Sequence, residues 1–376
     1  VARSVARSVA RGATRGLTRA GRTARAATAT AAATAVAAGA LGLLACARPA
    51  PPPPPLFERL DAARTGVAFA NRLPESPDFD IVEYLYYYNG GGVAVGDIDG
   101  DGRQDLYLSS NVGPNRLYRN LGDFRFEDVT ARAGVAGPPG WKTGVTMADV
   151  DGDGRLDLYV SAVSHLTMRG RNVLYVNQGD GTFVDRTAAY GLTHVGYATQ
   201  AVFLDYDRDG DLDAYLLNHS THTERAIGRG GHAGPRNPRA DDRLLRNDPA
   251  PGGARRFVDV SAEAGLVAND GFGLGVVASD VNGDGCPDLY VANDFQEDDL
   301  LYLNRCDGTF AEVLGRAAGH TSRFAMGVDA GDVDGDLRPD LFVADMLPER
   351  EAVRQTSAST ETFTLFNLRL RAGYHP

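Results

Sequence analysis

The sequence predicts an all-β fold, a β-propeller of four-stranded blades, and three observations carry that reading. An acidic loop of the form D-x-[DN]-x-D-G-x-x-D recurs five times with small departures, beginning at Asp97, Asp149, Asp205, Asp280 and Asp332. Short β-branched and aromatic runs flank every loop, with Gly-rich turns between them. The repeat length, mostly near fifty residues, accommodates four short strands, which describes a propeller blade.

The chain opens on a basic, Ala-rich stretch unlike the rest. Residues 1–45 hold seven arginines and no acid, and their apolar second half runs into L-G-L-L-A-C. A charged segment followed by an apolar one is the pattern of an export signal, not of a folded element. Leu43-Leu44-Ala45-Cys46 resembles the lipobox of bacterial lipoproteins, which implies a diacylated Cys46 and a membrane anchor. A plain secretory signal and an Arg-rich transit peptide are the alternatives. Residues 46–55 add a Pro-rich spacer, stiff enough to hold a domain off a membrane surface. Without that leader the chain is more acidic than its overall formal charge of −11. Such a surface repels nucleic acid and attracts cations.

Residues 56–376 form the repeat region, with units near 92–136, 144–193, 199–267, 274–320 and a partial one at 326–376. In the first unit Val93-Ala94-Val95 precedes the acidic loop and Leu106-Tyr107-Leu108 follows it. A third run appears in four copies, N-R-L-Y-R-N at 115, N-V-L-Y-V-N at 172, D-R-L-L-R-N at 242 and D-L-L-Y-L-N at 299. A fourth closes each unit, as F-E-D-V-T does at 126. Phe57-Glu58-Arg59-Leu60 followed by Gly66-Val67 repeats Phe126-Glu127-Asp128-Val129 followed by Gly134-Val135. The amino-terminal segment is therefore expected to lend an outer strand to the last blade and remove exposed edges. A closed five-blade ring, with Phe363 to Leu370 as the missing third strand, is the second arrangement.

Within each loop, positions 1, 3, 5 and 9 carry the oxygen ligands expected for a hard divalent cation. These are Asp97, Asp99, Asp101 and Asp105; Asp149, Asp151, Asp153 and Asp157; Asp205, Asp207, Asp209 and Asp213; Asp280, Asn282, Asp284 and Asp288; and Asp332, Asp334, Asp336 and Asp340. Clustered like charges repel, so calcium, at about four to five ions, is the expected cofactor, against the alternative of acidic turns that hold no ion. Magnesium is disfavoured because it demands a smaller octahedral shell with retained water. An EF-hand would need Glu at position 12, where the first loop has Leu108 inside a strand. Asn282 removes one charge from the fourth loop, and Leu337 replaces the turn glycine of the fifth.

These repeats resemble the FG-GAP or VCBS repeat, the blade of integrin α-subunit propellers. Tyr84 to Val95, Gly140-Trp141-Lys142-Thr143-Gly144-Val145 and Asp345-Met346-Leu347-Pro348-Glu349 narrow the likeness to bacterial extracytoplasmic relatives of the cartilage acidic protein family. The resemblance implies integrin-type calcium loops, in which position 7 also gives its backbone carbonyl, and a seven-bladed ring. About five blades are covered here, so the sequence is expected to be truncated.

In a four-stranded antiparallel blade the calcium loops share one face, which leaves the opposite face for partners. Trp141, Tyr197, Phe272 and Phe324 stand eight residues before the first Asp of successive loops. Blade-to-blade packing is their first reading, and a stacking platform for a sugar or peptide the second. The third unit carries an insertion, Asn218 to Asp241, with His219, His222 and His232. It reads as a solvated, partner-facing loop. Cys286 in the fourth loop and Cys306 in the same blade suggest a disulfide, with two free thiols as the alternative. No nucleophile elbow, P-loop or H-E-x-x-H is present. The function expected is non-catalytic adhesion to, or recognition of, an extracellular protein or glycan. The alternative is a propeller module of a polysaccharide-processing or other extracytoplasmic enzyme.

Overall fold

A computed structural model describes residues 55–346 except 75–78, 82, 222–236, 252–253, 270, 296 and 323. The leader, Cys46, all of the spacer but Pro55, His222, His232 and the Phe363–Leu370 segment lie outside the described residues. Four four-stranded antiparallel sheets and one two-stranded sheet follow one another along the chain, with every strand paired to its sequence neighbour. The first is β1 (Val93–Gly96), β2 (Asp105–Leu108), β3 (Arg116–Asn120) and β4 (Phe126–Asp128). The second is β5 (Trp141–Ala148), β6 (Asp157–Val163), β7 (Val173–Asn177) and β8 (Phe183–Asp185). The third is β9 (Ala198–Leu204), β10 (Asp213–Asn218), β11 (Arg243–Ala250) and β12 (Ala254–Asp259). The fourth is β13 (Phe272–Ser279), β14 (Asp288–Asp294), β15 (Leu300–Asn304) and β16 (Phe310–Glu312). The last pair is β17 (Ala325–Gly331) and β18 (Asp340–Asp345). These are blades of a β-propeller.

The core lies between blades, not within them. Ala94, Tyr107 and Leu117 of the first blade pack on Val145, Leu158, Val173 and Phe183 of the second. Equivalent clusters join the second blade to the third, the third to the fourth and the fourth to the fifth. The second strands of the three middle blades are sandwiched on both faces, so β6, β10 and β14 are buried at every position. That is why those strands read as near-continuous apolar runs. Inner strands approach closely: a Cβ on Gly144 would lie 2.5 Å from the carbonyl oxygen of Thr199 in the next blade.

The outer strand expected from Phe57 to Leu60 does not form, and residues 55–61 carry no strand. The likeness to the first unit resumes one step later. Asp61 caps the short helix α1 (Ala62–Thr65), its carboxylate accepting the Arg64 amide at 2.8 Å. Gly66 ends it at φ 79°, as Gly134 at φ 76° ends α2 (Thr130–Ala133). A Cβ on Gly66 would meet Phe126 O of the first blade at 2.4 Å, just as Gly191 and Gly265 face Phe257 O and Phe310 O. What recurs is therefore the blade-to-blade link, not the strand before it.

Candidate metal centres

Each acidic loop closes the hairpin between a blade's first two strands, because the register pairs Gly96 with Asp105 and Ala148 with Asp157. The first aspartate organises the turn. Asp97 Oδ1 accepts the amides of Gly100 (2.9 Å) and Asp101 (3.1 Å), and Oδ2 that of Gly102 (2.8 Å). The same three bonds form on Asp149, Asp280 and Asp332. Leu337 makes its bond at φ 66°, a left-handed conformation that costs a non-glycine residue about 1–2 kcal/mol. The fifth turn therefore forms under strain.

The ninth residue has a second role that its spacing did not announce. Asp105 Oδ2 accepts the amide of Ile98 (3.0 Å) and Oδ1 that of Asn120 at the end of β3 (2.7 Å). Asp157, Asp213 and Asp288 repeat both bonds. This carboxylate staples the loop to the third strand, while a carboxylate oxygen retains a lone pair for a cation. Burial pushes Asp157 and Asp213 up to about 7, against the amide bonds they accept and with neighbouring carboxylates adding to the rise.

In four of the five loops, convergence is closest at three positions. Ligand atoms of Asp97, Asp99 and Asp101 lie within 4.8 Å of one another, as do those of Asp332, Asp334 and Asp336. The equivalent sets are Asp149, Asp151 and Asp157, and Asp205, Asp207 and Asp213. In the second and third loops the buried oxygens Asp151 Oδ1, Asp205 Oδ1 and Asp207 Oδ1 have no hydrogen-bond partner. Burial raises the Asp151 and Asp207 carboxyls, and adjacent aspartates add to it. In the first loop, arginines offset the charge: Arg119 pairs with Asp99 at 2.6 Å and Arg103 with Asp101. In the fourth, Asn282 Nδ2 donates to Asp284 Oδ2 at 2.8 Å. Carboxylates in this number, with orphaned oxygens, fit a hard cation.

Position 7 anchors the loop outward. Arg103 Nε donates to Asn120 O (3.0 Å) and Arg155 Nε to Asn177 O (3.2 Å). In the fourth blade Cys286 takes that position and is disulfide-bonded to Cys306, with Cα atoms 5.7 Å apart. A covalent tie there occupies the place of the arginine.

On the opposite face, Trp141, Tyr197 and Phe272 are only 3%, 6% and 6% exposed. They form one cluster with Tyr84, Tyr86 and Tyr87, and Trp141 stands edge-on to Phe79 at 5.4 Å. Phe324 reaches the group through Phe295. A stacking platform needs open ring faces, so this burial supports the packing reading over the platform. His219 likewise departs from a solvated loop. Its ring is buried, sharing hydrogen bonds with Tyr84 Oη (2.9 Å) and the Ser220 carbonyl (2.7 Å), and burial lowers its pKa to about 4. Tyr84, Tyr86 and Trp141 of this cluster also line a cavity of about 430 Å³ between inner strands, together with Thr143, Thr199 and Gln200.

One repeated position escaped the sequence reading. The residue just before the third strand in the first four blades, Asn115, Asn172, Asp242 or Asp299, accepts an amide from at or near the end of the second strand. Asn115 also donates to Tyr107 Oη, while Asp242 and Asp299 accept from Tyr215 and Tyr290. The signal was the [ND]-x-L that recurs there with a tyrosine on the strand before.

The FG-GAP-like repeat matches residues 97–160, 162–216 and 252–343. Human cartilage acidic protein 1 is 27% identical over 215 residues, which cover 55% of this chain and 28% of that protein. The Xenopus tropicalis protein of the same name is 26% identical over 212 residues, 55% of this chain and 29% of its own. The chain thus spans less than a third of the length of these relatives. Among solved structures, an Agrocybe aegerita lectin that recognises non-reducing terminal N-acetylglucosamine aligns with a TM-score of 0.38 and 20% identity, over 68% of this chain and 60% of the lectin. With the repeat matched over more than half its length, the chain belongs to the FG-GAP-like repeat family.

Proposed function

We propose that the protein is a calcium-stabilised recognition scaffold, exported and lipid-anchored, that engages an extracellular protein or glycan and catalyses no reaction. The observation that carries the metal reading is the set of unpartnered, buried carboxylate oxygens in the second and third loops. An unpaired charge away from water is unfavourable, and a calcium ion, which takes about six to eight oxygen ligands, would satisfy several at once. The aspartates at positions 1, 3, 5 and 9 would hold it, with Asn282 serving in the fourth loop. When bound, the ion supplies charge neutralisation and holds the hairpin ends together. The chain's own residues already pre-form the turn through amide bonds to the first and ninth aspartates. The likeness to cartilage acidic protein supports an extracellular setting, as do the leader and the disulfide.

Thermal melting with calcium and with EDTA, alongside native mass spectrometry, tests the metal reading. Calcium should raise the melting temperature, with about four to five ions retained per chain. A melting curve indifferent to EDTA would sink it. For the anchor, Cys46→Ala should move the protein from membrane to soluble fraction, and an unacylated Cys46 in the wild type would rule lipidation out.

A further inference from the structure

An asparagine late in the third strand recurs in four blades, and in three of them it sits between two loops. Asn247 is fully buried, and its backbone amide donates to Asp213 Oδ1 of its own loop (2.8 Å). Its side-chain Nδ2 donates to Leu212 O in that loop (3.1 Å) and to Val150 O in the loop of the preceding blade (3.0 Å). Asn304 repeats the arrangement with Asp288 Oδ1, Pro287 O and, in the preceding blade, Tyr206 O (2.7 Å). Asn177 does so with Asp157 Oδ1, Leu156 O and Ile98 O (2.9 Å). Asn120, in the first blade, makes the own-loop bonds, to Asp105 Oδ1 and Gln104 O.

The carbonyl reached in the preceding blade belongs to position 2, between the ligands at positions 1 and 3. The amide of that same residue is held by the ninth aspartate of its own loop, as Val150 N is by Asp157 Oδ2 (3.1 Å). The two polar groups that fix the backbone between two ligands thus come from different blades. A ligand-bearing loop binds more tightly when its geometry is held in advance. Losing the outside bond leaves a buried carbonyl short of a partner and the loop free to relax.

We propose that Asn177, Asn247 and Asn304 are positioning residues that each serve two cation loops, so that affinity in one blade depends on the blade after it. This rests on the calcium reading above. Terbium, a luminescent stand-in for calcium, can report on the second loop, because Tyr190 Oη donates to Asp151 Oδ2 (3.2 Å) and lies within energy-transfer range. The emission lost in Tyr190→Phe defines that loop's signal. Asn247→Ala should raise the terbium concentration for half-maximal second-loop emission about tenfold, equivalent to about 1.4 kcal/mol, although residue 247 belongs to the third blade. Asp207→Asn, which removes a third-loop ligand, should leave that signal unchanged. Native mass spectrometry in calcium of Asn177→Ala and Asn304→Ala repeats the test at the other two pairs, should the Asn247 variant not fold, and each should lose two ions. An unchanged second-loop signal, the loss of a single ion, or equal weakening of every loop overturns the coupling while leaving the calcium reading intact. A wild type that takes up no terbium or calcium overturns both.

Discussion

Asp242 shows how one side chain's environment sets a pH response. It is buried, immediately precedes β11, and accepts bonds from the Asn218 amide (2.7 Å), Tyr215 Oη (2.8 Å) and Asn269 Nδ2 (2.5 Å). Burial outweighs these donors and pushes its carboxyl up to about 7 from 3.8. The folded state therefore holds a proton that the unfolded chain releases near 3.8, and stability contributed by this residue falls as pH rises from about 4 to about 7. Asparagine stands at the same place in the first two blades, as Asn115 and Asn172. Asp242→Asn should accordingly gain on the wild type as pH rises, its relative melting temperature climbing between pH 5 and pH 8. Melting at saturating calcium keeps the loop carboxylates constant between the two proteins. A difference that does not vary with pH would show that Asp242 stays ionised in the fold.

At the scale of elements, what could be read in advance was what local chemistry repeats. The loops were legible because alternate carboxylates around a glycine lie within nine consecutive residues, and the strands because Leu106-Tyr107-Leu108 and its copies recur after each loop. Bonds that cross between elements were not. The asparagines at 177, 247 and 304 look like turn residues, since nothing in one blade's sequence indicates a carbonyl of the blade before it. Trp141, Tyr197 and Phe272 read equally as packing or as an open platform, because an aromatic's hydrophobicity does not state which of its faces meets solvent. Phe57 to Leu60 matched the outer strand in composition, yet a strand also needs a partner edge, and composition does not supply one. The buried His219 was hidden by the polar insertion that follows it: its burial comes from Tyr84 and Tyr197, far away in sequence.

For the molecule as a whole, the position of the core decides how damage spreads. Every apolar cluster is shared by adjacent blades, so blades lack independent cores and stability resembles that of a repeat array with strong neighbour terms. The aromatic cluster is a separate junction. It gathers Tyr84, Tyr86 and Tyr87 with Trp141 from the second blade, Tyr197 from the start of the third and Phe272 from the fourth. Direct bridges Val163–Tyr197, His219–Phe272 and Asp294–Phe324 run between successive blades beside it. Trp141 stands within 5.5 Å, centroid to centroid, of Phe79, Tyr84 and Tyr87. Trp141→Ala removes the largest ring at this junction, and such a deletion typically loses about 3–5 kcal/mol. Because the ring joins several blades, hydrogen exchange should rise in residues 79–88 and at the starts of β5, β9 and β13 together. The loops on the far face should keep their cation affinity until the fold itself is lost. Wild-type stability in Trp141→Ala, together with lost binding to an extracellular glycan or protein, would instead make this ring a contact surface and reverse the assignment of the cluster to packing.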